Sequence, residues 1–422
     1  MRVTYVSFLA VLVLGVLASG SCVMAKSADC PAAMYDLDPG NSGVSSNVGF
    51  TGAPQVAWRT PVASMSYTSS LAMDNSGTLY APYGYAINAA TGAKSQIFNG
   101  NSDSSVALDA NGRLYNLGGT VECRLPSGAL VWSGTPMIGT NSPAKLGYDG
   151  TVYGYSNAGV MVAYDADGKL KWQSQGYAKP RTYPASMVPA IDQSSNVYFA
   201  TDNSLVSLDA HGQERWSVAA TSSSPLRIGP DGNVYAGQGT QVAVLDPATG
   251  SVLKTLPGGG SLKAISGDGT MYFAGYDHFR ARDHDGNLLW DYYSRYSSAG
   301  AAVIDAEGKV YFNAPSSDGT QRCLIAISET GSELWRLEYG RNPLYADPVI
   351  GADGHIYMMD NYYVYSVVPE PTMMGLLGVG LAVLAARRRR RRSRSPAVVA
   401  SMVSRQVRTR GQGNGIRRSK AD

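Results

Sequence analysis

Two pairs of aspartates in this sequence are spaced as metal ligands could be. Asp165 and Asp167 occupy alternate positions, and so do Asp283 and Asp285. Oxygen ligands at alternate positions begin the calcium loop of an EF-hand. Neither pair continues to the later ligands of such a loop, and each is followed at once by glycine, which is typical of a hairpin turn. The sequence therefore predicts turns at both places and no metal site.

The four histidines are too scattered to form a zinc site. His211 and His284 fall in predicted turns, His278 adjoins the end of a predicted strand, and His355 begins one. Zinc needs three or four ligands brought together in a tetrahedron. We expect these histidines to be solvated residues of turns and strand ends.

Three cysteines lie in the body of the chain and are far apart in sequence. Cys30 precedes the repeats described below and could form an intermolecular bridge or stay a free thiol, while Cys123 and Cys323 fall in distant repeats. A bridge between the last two is not expected, and small buried apolar residues are the simpler interpretation. Cys22 could suggest a lipid anchor, but Ser19-Gly20-Ser21 precedes it where a lipoprotein signal has leucine and two small residues.

Aromatic clusters and two long connections are the remaining candidates for binding. The clusters could stack on the apolar faces of sugars, although packing between repeats explains them equally well. The longer connections span Gly176 to Ser186 and Ala314 to Arg322. The tyrosines concerned are Tyr292, Tyr293, Tyr296, Tyr362, Tyr363 and Tyr365.

Composition indicates a turn-rich β protein with an asymmetric charge. The chain has 422 residues, with 48 Gly and 27 Tyr but only 7 Phe. Residues 26 to 368 carry 21 Lys and Arg against 30 Asp and Glu, a net charge of −9, whereas residues 387 to 422 carry 13 against 1. The basic character belongs to the C-terminal tail alone, so we expect no binding of nucleic acid by the body.

A repeated motif organises the body: a turn, then an aliphatic residue and a tyrosine. Eight copies are spaced by 35 to 46 residues, with a mean near 40, which suits one four-stranded propeller blade. The sequence therefore predicts an all-β, eight-bladed β-propeller of four-stranded blades. The repeated tyrosines are Tyr80, Tyr115, Tyr153, Tyr198, Tyr235, Tyr272, Tyr311 and Tyr357.

A second motif, Gly-x-x-x-Trp, lies between the tyrosines. It places the tryptophans in register, and we expect them to dock between neighbouring blades. Gly92 and Gly250 keep the glycine, but Gln96 and Lys254 replace the tryptophan. The docking tryptophans of this motif are Trp132, Trp172, Trp216, Trp290 and Trp335.

The sixth tryptophan predicts how the ring closes. In the last copy, Tyr362 to Val367 form a third strand, and Pro369 follows before any outer strand. The outer strand of this copy is therefore missing. Residues 55 to 60, which contain Trp58, resemble the missing outer strand. We therefore predict that this N-terminal strand completes the last blade and leaves no open edge.

The run Asp-x-x-Gly-x-x-x-Trp, as in Asp165 to Trp172 and Asp209 to Trp216, resembles the tryptophan-docking repeat of PQQ-like β-propellers. This family includes quinoprotein dehydrogenases, an outer-membrane assembly lipoprotein and secreted proteins without known activity. The enzymes hold calcium and a quinone on the propeller axis above a disulfide of adjacent cysteines. This sequence has no Cys-Cys pair and lacks the long insertions of the enzymes, so we expect no cofactor and no catalysis.

The N-terminus has the features of a secretory signal peptide at residues 1 to 25. Arg2 precedes an apolar run from Val3 to Ala18, and Val23-Met24-Ala25 is a small-residue exit with cleavage after Ala25. A buried N-terminal helix is the alternative. Residues 26 to 50 are then an N-terminal segment, and residues 51 to 367 the propeller.

The C-terminus resembles a PEP-CTERM sorting signal at residues 368 to 392. Pro369, Glu370 and Pro371 precede an apolar run from Met373 to Ala386, about 21 Å of helix, which we predict to be a transmembrane helix held by a basic cluster. Such signals are processed by exosortases and usually end at the cluster, whereas here residues 393 to 422 continue as a basic tail predicted to be disordered. The basic cluster consists of Arg387, Arg388, Arg389, Arg390, Arg391 and Arg392.

Together these patterns predict an exported, non-enzymatic propeller. An exosortase would sort it, with membrane anchoring by the C-terminal helix at least transiently, to the cell surface or extracellular matrix. There it would act as a binding or structural module for a polysaccharide or an envelope protein. A quinoprotein-type dehydrogenase and an envelope assembly scaffold stay open as alternatives.

Overall fold

The repeats fold into eight antiparallel sheets of four strands, the blades of a closed β-propeller, in the computed structural model of this chain. The first strands of neighbouring blades contact one another and so line the axis. Eight four-stranded blades confirm the architecture predicted from the tyrosine repeat. The structure describes residues 34, 37–63, 70–100, 105–117, 120–134, 143–156, 159–178, 188–220, 222, 225–294, 302–315, 320–342 and 347–371.

Each blade runs outward along the chain from the axis to the rim. The strands of blades 1 to 4, from the axis outward, are Ala72–Met73, Thr78–Ala81, Tyr85–Asn88 and Lys94–Gln96; Val106–Leu108, Leu114–Leu117, Val121–Arg124 and Leu130–Ser133; Lys145–Leu146, Val152–Tyr155, Val160–Tyr164 and Leu170–Gly176; and Ala190–Ile191, Val197–Ala200, Ser204–Leu208 and Glu214–Ala219. A short 3₁₀ turn, Pro82–Gly84, joins two strands of blade 1.

Blades 5 to 7 repeat this order, and blade 8 takes its outer strand from the N-terminal side of the chain. The strands of blades 5 to 8 are Arg227–Ile228, Val234–Gly237, Gln241–Leu245 and Val252–Pro257; Ser261–Ile265, Met271–Ala274, His278–Arg282 and Leu288–Tyr293; Ala302–Ile304, Val310–Pro315, Arg322–Ile327 and Glu333–Gly340; and Val349–Ile350, Ile356–Met359, Tyr363–Pro369 and Pro54–Pro61.

Packing between blades explains the composition of the strands. The second strand of nearly every blade is buried along its whole length, as at Val152–Tyr155 and Val197–Ala200. A strand covered on both faces has no reason to alternate apolar and polar residues. Outer strands such as Leu170–Gly176 alternate buried and exposed residues at their centre, because one face meets solvent.

The closing sheet has the predicted partners. Thr60 pairs with Val364 and Arg59 with Tyr365, and the pairing continues to Pro54 opposite Pro369. The prediction that residues 55 to 60 complete the last blade is confirmed. The third strand of that blade begins one residue later and ends two residues later than expected, because Pro54 and Gln55 extend the pairing to Pro369.

The chain divides into two units between Pro369 and Glu370. The second unit is described only at Glu370 and Pro371. Among the described residues, no helix has the length and apolarity needed to cross a membrane. The apolar run predicted to do so, residues 373 to 386, lies outside them, as do the arginine cluster, the basic tail, the signal peptide with Ala25, and Cys30.

Removing the closing strand should expose the edge of Tyr363–Pro369, which carries apolar Val364 and Val367. Deletion of residues 26 to 61, with the signal peptide retained, is expected to cause aggregation, because an unpaired apolar edge pairs with other chains. Size-exclusion chromatography and thermal melting of the secreted protein measure this.

Deletion of residues 26 to 53 is the matched control, since it keeps the closing strand Pro54–Pro61. We expect that variant to remain monomeric with a lowered melting temperature. A monomer with unchanged melting after deletion of residues 26 to 61 would contradict the closure.

Candidate functional site

Residues 37 to 49, here called the axial segment, lie against the inner strands of five successive blades. In blades 4, 5 and 6, the backbone N–H groups of Ile191, Ile228 and Ile265 donate to carbonyls of this segment at 2.8, 3.0 and 2.9 Å. Those carbonyls belong to Pro39, Gly40 and Ser42. The segment thus satisfies the N–H groups that end three inner strands.

The axial segment continues to blades 7 and 8. Val44 forms a parallel bridge with Ile304, and the N–H of Ser45 donates to the Ile304 carbonyl at 2.8 Å. The side-chain amide of Asn47 donates to the Ile350 carbonyl at 2.9 Å. One short segment therefore contacts five blades and fixes them relative to each other at the axis.

Buried polar contacts hold the segment in place. Asn41 donates to the carbonyl of Leu226 at 2.9 Å, and its own carbonyl accepts from the guanidinium of Arg227, which is only 2% exposed. Gly43 has φ +70°, and a Cβ there would lie 2.3 Å from the carbonyl oxygen of Lys263. Only glycine fits this close approach of two backbones.

A cavity of about 650 Å³ opens where the axial segment passes blades 3 to 6. Three isoleucines at the ends of the inner strands line it: Ile191, Ile228 and Ile265. Asp38 of the axial segment and the turn residues Asp192 and Asp231 also line it. This cavity is the candidate functional site.

Tyr148 stands in the wall of the cavity. Burial raises the pKa of its phenol to about 12, and the carboxylates of Asp38 and Asp192 contribute to the rise. Both carboxylates therefore lie near enough to this hydroxyl to disfavour its ionisation.

Two aspartates of the cavity, Asp192 and Asp231, belong to a feature shared by the blades. In six blades the hydroxyl of the repeated tyrosine donates to the aspartate of the turn before it. The pairs are Tyr80 with Asp74 (3.0 Å), Tyr115 with Asp109 (3.0 Å), Tyr198 with Asp192 (2.9 Å), Tyr235 with Asp231 (3.0 Å), Tyr311 with Asp305 (3.4 Å) and Tyr357 with Asp353 (3.3 Å).

Five docking tryptophans each connect one blade to the next. The indole N–H of Trp58, Trp132, Trp172, Trp216 and Trp290 donates to a turn carbonyl of the following blade, at 2.8 to 3.0 Å. Lys254, which replaces tryptophan in blade 5, donates to the His284 carbonyl of blade 6 at 3.0 Å. The lysine thus makes the same connection without the ring.

The glycine of the Gly-x-x-x-Trp motif receives the tryptophan of the preceding blade. Gly168 has φ +87°, and a Cβ there would lie 2.5 Å from the Trp132 ring. Trp335 of blade 7 has no such turn to dock on, because blade 8 takes its outer strand from the N-terminal side of the chain. Trp335 instead stacks on Phe50, with ring centroids 5.1 Å apart, and donates to the Phe50 carbonyl. The N-terminal chain therefore supplies the contact that the missing turn cannot make.

The aspartate pairs act as hairpin turns. The same oxygen of Asp165 accepts the N–H groups of Asp167 and Lys169, and Asp283 accepts those of Asp285 and Asn287. The described residues contain no group of three or more Asp, Glu, His or Cys placed to hold a metal ion.

The four histidines lie beside different aspartates and do not form a cluster. His211 and His284 lie in exposed turns, His278 contacts Asp291 at 2.5 Å, and His355 contacts Asp353 at 2.8 Å.

The expectation that Cys123 and Cys323 are buried and do not form a disulfide is confirmed. Cys123 and Cys323 are both free thiols and fully buried. Burial raises the pKa of Cys123 to about 11, which makes its thiol a poor nucleophile.

The tyrosines considered for sugar stacking divide into two groups. Tyr292 donates to Glu333 of the next blade, and Tyr365 donates to Asp360 at 2.9 Å, so these two serve packing. Tyr363 is partly buried, and the Arg59 guanidinium lies 5.0 Å from its ring centroid. Tyr293 and Tyr362 are exposed at 58% and 48%. Tyr296 lies outside the described residues, as do residues 179–187 and 316–319 of the two long connections.

The predicted sorting motif begins inside the propeller. Pro369 is the last residue of its strand, opposite Pro54, while Glu370 and Pro371 follow directly and are exposed. No linker separates the last strand from the motif.

Sequence reasoning missed the axial segment, and with it the cavity. The segment has no strand pattern, and two of its residues, Leu37 and Asn41, have φ of 70° and 61°. The one sequence feature that could have indicated the segment is its composition. It is rich in Gly, Ser and Asn but has fewer charged residues than a solvated tail would have.

Two family models match the chain. The model described as "Outer membrane protein assembly factor BamB" matches residues 55–225 and 201–367. The model described as "PEP-CTERM protein-sorting motif" matches residues 367–391. The second match implies export to the cell envelope or surface and processing by an exosortase. No curated protein matches the chain.

Solved structures resemble the fold at low sequence identity. Quinohemoprotein alcohol dehydrogenase from Comamonas testosteroni is 14% identical with a TM-score of 0.58, covering 80% of each chain. A europium-containing methanol dehydrogenase is 13% identical with a TM-score of 0.60, covering 80% of this chain and 98% of that one. BamB from Moraxella catarrhalis is 17% identical with a TM-score of 0.50, covering 75% and 99%. Enzymes and a non-enzyme share this fold, so the likeness is one of fold alone.

The docking tryptophans should carry much of the stability. Trp172→Ala is expected to lower the free energy of unfolding by about 3 to 5 kcal/mol, because a buried indole is lost. Trp172→Phe keeps an aromatic ring but loses the bond to the Ala210 carbonyl, and should cost less. Denaturant unfolding measures both effects. The control is Leu170→Ala, at an exposed side chain of the same strand, which should change the free energy of unfolding by less than about 0.5 kcal/mol. Equal effects for Trp172→Ala and Leu170→Ala would contradict the docking role.

Stability should also fall in base. Burial, followed by the nearby Asp192 and Asp268 carboxylates, raises the pKa of Tyr198 and Tyr272 to about 12. The neutral phenol is thus favoured in the folded state, so its stabilisation is complete below the unfolded value of about 10 and is lost as pH rises through about 12. Urea unfolding across this window should show a progressive decrease.

Tyr198→Phe provides the control for this pH dependence, since it removes one of the ionisable phenols. The variant should lose less stability between pH 10 and 12 than the unmodified chain. A steeper loss in the variant would show that the phenols do not cause the effect.

Proposed function

The chain belongs to the PQQ-like repeat family whose model is described as outer membrane protein assembly factor BamB, and from this membership we propose that it is a non-enzymatic binding module of the cell surface. The observation that carries the proposal is the sorting motif, which begins at the last residue of the last propeller strand. An exported propeller with such a signal is delivered to the envelope, where it meets extracellular ligands.

The axis of this propeller does not suit a quinone cofactor. Quinoprotein enzymes of this fold hold the quinone on the axis, where this chain places its own axial segment. Asn41 and Gly43 lie there in contact with Leu226, Arg227 and Lys263. These contacts support the proposal that no quinone binds on the axis.

Processing is proposed to occur just after the last strand. All three motif residues are exposed, but Pro369 is paired with Pro54 in the sheet, whereas Glu370 and Pro371 lie beyond the strand. The run from Met373 to Ala386 is proposed to anchor the precursor, with Arg387 to Arg392 retained in the cytoplasm. Cleavage would then release a folded propeller, since the last strand ends before the cut.

An envelope assembly scaffold is the second candidate function. The description of the matching family model supports it, as does the solved BamB structure, of which 99% is covered. A scaffold would retain a specific envelope protein in a pull-down from envelope extracts, whereas a ligand-binding module would not. Quinone- and calcium-dependent dye reduction tests the enzymatic alternative, and activity in that assay would overturn the proposal.

Glu370→Ala should block sorting. In the native host the mature protein is expected to lack residues 387 to 422, and the variant to accumulate as a full-length, membrane-bound form. Mass spectrometry of fractionated cells measures both.

Glu338→Ala, an exposed glutamate in the outer strand of blade 7, is the control and should be processed normally. Recovery of the tail still joined to the body in the unmodified protein would indicate a permanent anchor instead.

A further inference from the structure

We propose that the cavity between the axial segment and blades 3 to 6 binds a small free aliphatic diamine or polyamine. The inference rests on the proposed binding function and names the ligand class of that site. It is carried by the volume of the cavity, by the apolar part of its lining and by the sign of its charged lining.

The volume fits a ligand of this size. Pockets that enclose small molecules measure about 300 to 1,000 Å³, and this cavity measures about 650 Å³. Its wall is built from the axial segment and from turns of successive blades. Because the axial segment is hydrogen-bonded to three of these blades, the cavity exists before any ligand arrives.

Part of the cavity lining is apolar. Ile228 is partly exposed there, whereas Ile191 and Ile265, at the same position in the neighbouring blades, are buried. Val44 and Pro247 add apolar surface to the lining. Methylene groups of a ligand that contact this apolar surface would be removed from water, which favours binding.

The charged side chains that line the cavity are all acidic. They are Asp38, Asp192 and Asp231, and the described lining includes no lysine, arginine or histidine. The raised pKa of Tyr148 agrees with a negative field there. An ammonium group would be attracted to this lining, whereas a carboxylate or phosphate would be repelled.

The carboxylates are held in fixed positions. Asp192 accepts the backbone N–H groups of Ser194 and Asn196 and the hydroxyl of Tyr198. Asp38 accepts the N–H of Ser42 at 3.0 Å. Carboxylates on two separate elements of the wall suit a ligand with an amine at each end, because rigid partners lose little entropy on binding.

Isothermal titration of the full chain in detergent with 1,5-diaminopentane tests the proposal. We expect saturable binding at a single site, and no binding of 1,5-pentanediol, which has the same length without charge. Asp38→Asn should weaken the binding about tenfold, because it removes one charge while the amide oxygen can still accept the Ser42 N–H.

Asp165→Asn is the matched control. It removes the same charge from a turn of blade 3 that does not line the cavity. Binding should stay within about twofold of the unmodified chain, because a charge far from the ligand is screened. Asp231→Asn serves as a second cavity variant should Asp38→Asn fold poorly.

Three results would overturn the inference: no saturable binding of the diamine, equal binding of the diol, or equal weakening by Asp38→Asn and Asp165→Asn. The last result would indicate attraction to the acidic surface in general. Fractionation of cells that produce Asp38→Asn separates this inference from the proposed function. Normal sorting and processing of that variant, together with failed amine binding, would leave the surface-module proposal intact.

Discussion

A propeller must close its ring, and in this chain closure depends on pairing between strands at opposite ends of the fold. Pro54–Pro61 and Tyr363–Pro369 are about 300 residues apart in sequence, yet they form two adjacent strands of one blade. Without this pairing, blade 8 lacks its outer strand and blade 1 loses the tryptophan that docks on it, since Trp58 bonds to the Ala89 carbonyl. The folded ring is therefore a single cooperative object, although it is built from nearly independent repeats.

The same requirement explains the route of the N-terminal chain. The chain passes along the axis before it forms the strand that closes the ring at its rim. Along that route it bonds to the inner strands of five blades and ends by placing Phe50 against Trp335. The segment therefore holds the ring together at the centre, while the closing strand does so at the rim.

The repeat predicted the architecture well because its residues have a physical task in most blades. The tyrosine donates to a turn aspartate, the tryptophan reaches the next blade, and the glycine accommodates that tryptophan, so each leaves a periodic signal. The axial segment is unique in the chain and depends on contacts such as that of Asn41 with Leu226, 185 residues away. Contacts of that kind have no periodicity, so neither the segment nor the cavity could be predicted from sequence.

Specificity in such a fold must come from departures from the repeat. Most blades carry a turn like that of Asp192, so the carboxylate by itself distinguishes no position around the ring. At blades 4 to 6 the axial segment adds Asp38 to the lining of a cavity that the turns of Asp192 and Asp231 also line. A ring of identical blades would present the same turn eight times, and a single non-repeated segment is enough to make one side of it a site.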